Sequence, residues 1–260
     1  MRHLKGYAKG FYMSLGMFCA APLPFYIWEE TYTAIMVASL PIVGLIIGTL
    51  WWLAALLLTA LDIPLVLVAA ALSLAPFFIA GFIHLDGYMD TSDALLSRRP
   101  VEDKLRILKD PHVGAFAVVM LGVLFLLQFS AMYAVVEGGR YFLLMIVIPV
   151  ISRCCAAFAI FALPHIPQSS YAPFFKQKIG MPQKIFVVTV AGAAMTAACL
   201  WAGLMGLALS LAVIFGYAAA MAKAFKSFKG ISGDLLGYAL VISELSGVIA
   251  LAVLQGRWSQ

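Results

Sequence analysis

The sequence predicts an all-α, polytopic helical membrane protein. It has about seven transmembrane helices, an amino-terminal interfacial or re-entrant segment and a short amphipathic cytoplasmic helix. Three observations predict this. Of 260 residues, 64% are hydrophobic and 11% charged, and the mean hydropathy is +1.01, which leaves too little polar surface to face water on every side. Apolar stretches of about 20 residues recur, the length a helix needs to cross roughly 30 Å of hydrocarbon. The basic residues gather in alternate loops, as membrane topology demands. A soluble fold, a nucleic-acid binder and a secreted disulfide scaffold are excluded, and the net charge of +5 is explained by chain orientation before any acidic partner is invoked. Cys19, Cys154, Cys155 and Cys199 lie in apolar runs without CxxC spacing and read as small buried hydrophobes.

Residues 11–28 look at first like a signal peptide or an extra span. Pro22 and Pro24 break that run, and a further crossing would invert the charge pattern, so this is the interfacial or re-entrant segment. Hydropathy then places spans near 33–61, 63–83, 113–136, 141–164, 184–201, 204–222 and 236–255. Leu61-Asp62-Ile63-Pro64 turns the first pair. The uncharged run from Ile185 to Ala222 is too long for one helix, and Gly203 and Gly206 after Trp201 offer the reversal. With the amino terminus in the cytoplasm, 14 of the 17 Lys and Arg fall on that side: Arg2, Lys5 and Lys9, then Arg98, Arg99, Lys104, Arg106 and Lys109, then Lys176, Lys178 and Lys184, and finally Lys223, Lys226 and Lys229. This points to a bacterial inner membrane with the 84–112 loop cytoplasmic and Gln260 periplasmic. No repeat or linker is visible, so residues 1–260 are expected to form one domain.

The longest polar interruption, 84–112, holds six of the twelve carboxylates: Asp86, Asp90, Asp93, Glu102, Asp103 and Asp110. On a helix, Asp86, Asp90 and Asp93 share a wedge about 60° wide. Like charges at that spacing repel, and an all-oxygen set favours Mg²⁺ or Mn²⁺ completed by water and phosphate; a solvated helix face is the alternative. Pro100 opens the short amphipathic helix, with Glu102 and Asp103 in its first turn. Lys109-Asp110-Pro111-His112 ends it at the mouth of the third span, where these groups could hold phosphate or accept a proton. His84 and His112 lack HExxH spacing and read as interfacial histidines. Lys226 to Asp234 forms a Gly/Ser-rich turn before the last span, suited to phosphate through free backbone N–H groups, with Asp234 as a helix cap the alternative. Arg153 and Glu244 lie inside spans, where each needs a partner: either they pair, or Arg153 faces a polar cavity and an anionic substrate.

GFIHLDGYMDTSDALL (81–96), LKDPHVGAFAVV (108–119), Ser152-Arg153 and KGISGDLLGYALVISEL (229–245) together resemble, in order and spacing, the cobalamin synthase family, adenosylcobinamide-GDP ribazoletransferase. The resemblance spans most of the chain. Departures from the family pattern are Phe82 for its second Gly, Pro111-His112 for Ser-Arg, Ala117 for Gly, and Lys229-Gly-Ile-Ser for Gly-Gly-x-Thr. It implies a Mg²⁺-dependent transferase that joins adenosylcobinamide-GDP and α-ribazole, or α-ribazole 5′-phosphate, with release of GMP. By the same resemblance Asp86, Asp90 and Asp93 are metal residues, and Asp93, Asp110 and His84 are catalytic candidates. Lys109, His112, Arg153, Lys229, Ser232, Gly233, Asp234 and Glu244 would meet substrate or its phosphates. Membrane lipid is the surrounding partner, and a homo-oligomer is left open. The residues by themselves also accommodate a CDP-alcohol phosphotransferase or prenyltransferase, or a secondary transporter; against the last, the carboxylates gather at one interface rather than at the midplane.

Overall fold

The computed structural model describes residues 2–167 and 180–258, so Lys176, Lys178 and Gln260 lie outside the described residues. Among the described residues the chain forms α1 (Arg2–Phe18), α2 (Thr33–Ala38), α3 (Leu40–Ala60), α4 (Leu65–Ala80), α5 (Ile83–Leu96), α6 (Val101–Ile107), α7 (Ala115–Gly138), α8 (Leu144–Ala162), α9 (Met181–Ala202), α10 (Leu204–Phe228) and α11 (Gly233–Trp258). They contain no strand, only an isolated parallel bridge between His165 and Ile231. Helices α3, α7, α8, α9, α10 and α11 are each long and apolar enough to cross a membrane, and α4 with its continuation α5 gives a seventh segment, bent by 98°. The six single helices fall on six of the expected stretches, whereas the stretch expected at 63–83 is α4 alone, 16 residues long, and reaches span length only with α5, which lies in the stretch expected as a loop.

Local chemistry explains the boundaries, and in three places it differs from expectation. The stretch expected as one span from 33 breaks at Ser39, whose Oγ donates to the Ile35 carbonyl at 2.8 Å, before Pro41 opens α3. Gly203, at φ +59°, makes the α9–α10 reversal alone. Gly206 lies inside α10, where a Cβ would overlap the Ala198 carbonyl of α9, so it serves close packing rather than the turn. Finally, α10 runs past residue 222 to Phe228 and carries Lys223 and Lys226 outward as its last turns. The amino-terminal segment is helical to Phe18 and then continues without helix through Pro22 and Pro24 to Glu29.

Helix α8 is central, with 72% of its apolar window buried, whereas α9, at 11%, lies on the rim. One core cluster joins α3, α4, α7, α8, α10 and α11 around Trp51, Leu72, Met132, Ile148 and Leu251. A second surrounds Leu85, Tyr88, Tyr217, Leu235 and Tyr238. Outward faces carry exposed Leu57, Leu67, Leu126, Leu200 and Phe215, apolar surface of the kind a membrane-spanning bundle presents.

The corner between α4 and α5 positions the polar end. Gly81, at φ +81°, closes α4, and the N–H groups of Gly81 and Phe82 both donate to the Phe77 carbonyl at 3.0 Å. The chain then leaves at nearly a right angle, and α5 crosses the starts of α7 and α11.

Candidate active site at the crossing of α5 and α11

Two glycines set the crossing. A Cβ at Gly87 would lie 2.8 Å from the Asp234 Cα and push the helices apart, and one at Gly237 would lie 3.1 Å from the His84 carbonyl oxygen, tighter than ordinary packing. The result is a fourth carboxylate: Asp234, from the first turn of α11, joins Asp86, Asp90 and Asp93 within electrostatic reach of one another. The start of α7 closes the group, because Gly114 sits against the Asp93 carboxylate where a Cβ would overlap it. Three sequence segments that are far apart in the chain therefore meet at one place.

Asp86 is exposed, and Asp90 and Asp93 are half-buried. Among the described residues none of the four carboxylates forms an ion pair. Crowded like charges of this kind need a compensating cation. No three His, Cys, Asp or Glu side chains among the described residues close into a metal cage. An all-oxygen, open set fits Mg²⁺, which takes one or two carboxylates and fills its shell with water and phosphate.

The turn before α11 is built differently from the sequence expectation. Ser232 is the cap: the Leu235 N–H donates to its Oγ at 3.4 Å, and that hydroxyl donates to Asp234 Oδ2 at 3.4 Å. The Asp234 carboxylate also accepts from its own backbone N–H and still lies within electrostatic reach of Asp86 on α5. The Ile231 N–H is committed to the Pro164 carbonyl at 3.0 Å, and the Ile231 carbonyl to the Ile166 N–H at 3.0 Å. Ile231 therefore offers no free backbone N–H to a phosphate. Lys229 is exposed and ends α10 in the left-handed conformation, φ +61°.

Arg153 and Glu244 form a buried ion pair. The Ser152 hydroxyl donates to Glu244 Oε1 at 3.0 Å, and Arg153 also donates to the Pro149 carbonyl at 3.3 Å. Of the two alternatives the sequence left open, the structure holds the pair. Arg153 is 1% exposed, and Glu244 lies ten residues, about 15 Å along α11, beyond Asp234. Both are thus engaged with each other rather than with the carboxylate cluster. His84 stands between the two levels. It lines a cavity of about 140 Å³ together with Asp86 and Asp234, and a void of about 10 Å³ together with Arg153 and Glu244.

Asp110 and His112 lie on the exposed loop before α7. The His112 N–H donates to Asp110 Oδ1 at 3.0 Å, and its ring Nδ1 lies 2.7 Å from the same oxygen. The backbone contact first, and the ring second, hold the Asp110 carboxyl below the usual range. That makes Asp110 a weaker base than its position in the sequence suggested. Lys109, His112 and Lys229 form no ion pair with the cluster among the described residues.

The walls contributed by the amino-terminal segment carried no signal in the sequence. Met17, Phe18 and Leu40 line the smaller cavity. A groove of about 790 Å³ between α1 and residues 21–28, with Tyr12, Phe25, Tyr26 and Trp28 on its sides, shares Met17 and Ile83 with it. Apolar residues of this kind read as an interfacial segment, and only the fold brings them beside the acids.

An apolar helical bundle that gathers four carboxylates, two helix starts and a cavity at one end is a polytopic membrane protein with an acidic site at the end of its bundle. The chain belongs to the cobalamin-5-phosphate synthase family, which residues 10–252 match. Similar proteins include adenosylcobinamide-GDP ribazoletransferases of Clostridium perfringens, 37% identical over 96% of this chain and 100% of the relative, and of Clostridium botulinum, 36% identical over 95% and 98%. That of Geobacillus kaustophilus is 30% identical over 94% of this chain and 95% of its own. No solved structure matches.

Proposed function

We propose that this protein joins adenosylcobinamide-GDP to α-ribazole or its 5′-phosphate, releasing GMP, at an active site on the cytoplasmic face of a bacterial inner membrane. The observation that carries the proposal is the convergence of α5, α7 and α11, three of the segments that resemble the family, on one acidic site. An oxygen of the acceptor ribose forms a bond to the cobinamide-linked phosphorus, and the bond from that phosphorus to the oxygen of GMP breaks. Asp86 and Asp90 hold Mg²⁺, with Asp93 and Asp234 beside them. When bound, Mg²⁺ supplies charge neutralisation for the diphosphate and for the departing phosphate. Asp93, half-buried against Gly114, accepts the proton of the attacking hydroxyl in preference to Asp110, which His112 holds ionised. Ser232 and Gly233 at the start of α11 face the phosphates. The basic residues of the loops that flank this end support the cytoplasmic side.

The test is product formation by the purified protein in detergent with adenosylcobinamide-GDP, α-ribazole or its phosphate, and Mg²⁺. Mass spectrometry should show a cobalamin product and GMP in equal amounts, and chelation should stop both. Absence of both products in protein shown to be folded would refute the assignment.

A further inference from the structure

Helices α8, α9 and α10 line a groove of about 490 Å³ that contains none of the carboxylates, and no residue of its walls is charged. Each of the three helices is long and apolar enough to cross a membrane. Phe158 and Val188 on the walls are 53% and 56% exposed, so the groove opens on the outside of the bundle. Its level is also fixed. It draws on the later half of α8, the first half of α9 and the later half of α10. Because α9 and α10 reverse at Gly203, all three parts lie toward the turn into α11, the end that holds the acid site. Both rims then continue into lysine. On α9, Val187, Val188 and Ala191 line the groove, and Lys184 stands three, four and seven residues before them, on the same stripe one turn nearer the helix start. On α10, Ala218 and Ala222 line it, and Lys226 follows four residues later in the last turn. Lys226 is exposed and Lys184 half-buried, and neither forms an ion pair among the described residues.

We propose that this groove binds one anionic phospholipid of the surrounding membrane, with an acyl chain lying against α8 between α9 and α10 and the phosphate at Lys184 and Lys226. The inference goes beyond the transferase reading and does not depend on it. A groove that is apolar along its length and doubly cationic at its mouth is complementary to a molecule with a hydrocarbon chain and a negative head. Each lysine placed at a membrane surface strengthens binding of an anionic headgroup about 5-fold. Charge also decides against a second copy of this chain as the occupant. A copy with the same orientation in the membrane, carrying the same net charge of +5, brings its own basic residues to the level of Lys184 and Lys226, where like charges oppose docking.

The experiment is native mass spectrometry of the full chain in detergent with equal amounts of phosphatidylglycerol and phosphatidylcholine that carry the same acyl chains. Wild type should retain one phosphatidylglycerol in preference to phosphatidylcholine by roughly 25-fold, the product of two lysines. Lys184→Gln and Lys226→Gln should each reduce that preference about 5-fold. Ala218→Phe fills the groove from an exposed position outside the packed core, and should lower retention of both lipids. Equal retention of the two lipids by wild type, an unchanged preference in either lysine variant, or unchanged retention in Ala218→Phe overturns the proposal. So does a dimer that carries no lipid, or displacement of the lipid by glycerophosphoglycerol, which has the head without the chains. If one lysine variant does not fold, the other decides alone by the same criterion. Failure of the lipid site is distinct from failure of the transferase reading, because only the second leaves wild type without cobalamin and GMP.

Discussion

Replacing Arg153 by methionine removes the cation from a Glu244 carboxylate that is buried in the membrane part of the bundle. Breaking a buried pair from one side costs about 3–5 kcal/mol, because the remaining charge has lost its compensation. The Ser152 hydroxyl, 3.0 Å from Glu244 Oε1, stays in place and offsets part of that, so the expected loss is about 3 kcal/mol. In a chain of this size this corresponds to a fall in Tm on the order of 10 °C. Adding Glu244→Gln removes the stranded charge while keeping an acceptor for Ser152, and should bring the double variant within about 1 kcal/mol of wild type. The assay is a double-mutant cycle by thermal unfolding in detergent, with product formation measured on the same samples. A loss below about 1 kcal/mol in Arg153→Met, or a double variant no more stable than the single, would refute a structural ion pair. A stable but inactive double variant would return Arg153 to the substrate contacts.

Three further outcomes follow from the site. Asp86→Asn or Asp90→Asn should lower turnover on the order of 100-fold or more while leaving Tm equal or higher, since each change relieves repulsion among four carboxylates as it weakens the proposed Mg²⁺ site; wild-type turnover in either would remove that residue from the proposed metal set. Gly114→Ala should displace Asp93, whose carboxylate occupies the place of the new Cβ, and reduce kcat by about 100-fold with the protein still folded; an unchanged kcat would exclude Asp93 from the chemistry. Because the Asp110 carboxyl is held below its unfolded value, its contact with His112 is present above the usual Asp range and is lost only as pH falls through the lowered value. Hydrogen exchange of residues 109–113 should therefore quicken only below about pH 4, and Asp110→Asn should leave the pH dependence of turnover above that point unchanged.

The chain's periodicity was most legible where physics leaves little choice. A bilayer demands long apolar helices, and six spans could be placed from hydropathy for that reason, whereas the 98° bend after α4 could not. Asp86, Asp90 and Asp93 were legible together because one helix carries all three. The partnership of Asp234 with them was not, since nothing in the spacing of residues 90 and 234 says that two helices touch. Gly87 and Gly237 are the trace of that contact in the sequence, glycines inside helical runs that mark close approach. They could show that something comes near, but not what. The amino-terminal wall of the cavity had no trace at all. Phe18 and Leu40 are apolar residues in apolar surroundings, and their orientation is fixed only by how α1 and α3 pack.

Two departures from the family pattern fall on the same kind of backbone. Phe82, at φ +64°, and Lys229, at φ +61°, occupy left-handed positions where the pattern has glycine. A side chain there costs about 1–2 kcal/mol, so each needs an offset. Phe82 packs edge-on against Phe78, with ring centroids 4.9 Å apart, and its N–H completes the hydrogen-bonded end of α4. Lys229 places a cation at the carboxyl end of α10, where the helix dipole is negative. The left-handed geometry is therefore kept although the residue that adopts it most easily is absent. Its persistence has a physical reason. At Gly81-Phe82 it turns the chain through 98° and lays the aspartates of α5 across α11. At Lys229 it turns α10 back so that Ser232 can cap α11 and Asp234 can lie within electrostatic reach of them. A change that straightened either corner would separate the carboxylates from one another, without touching any of them.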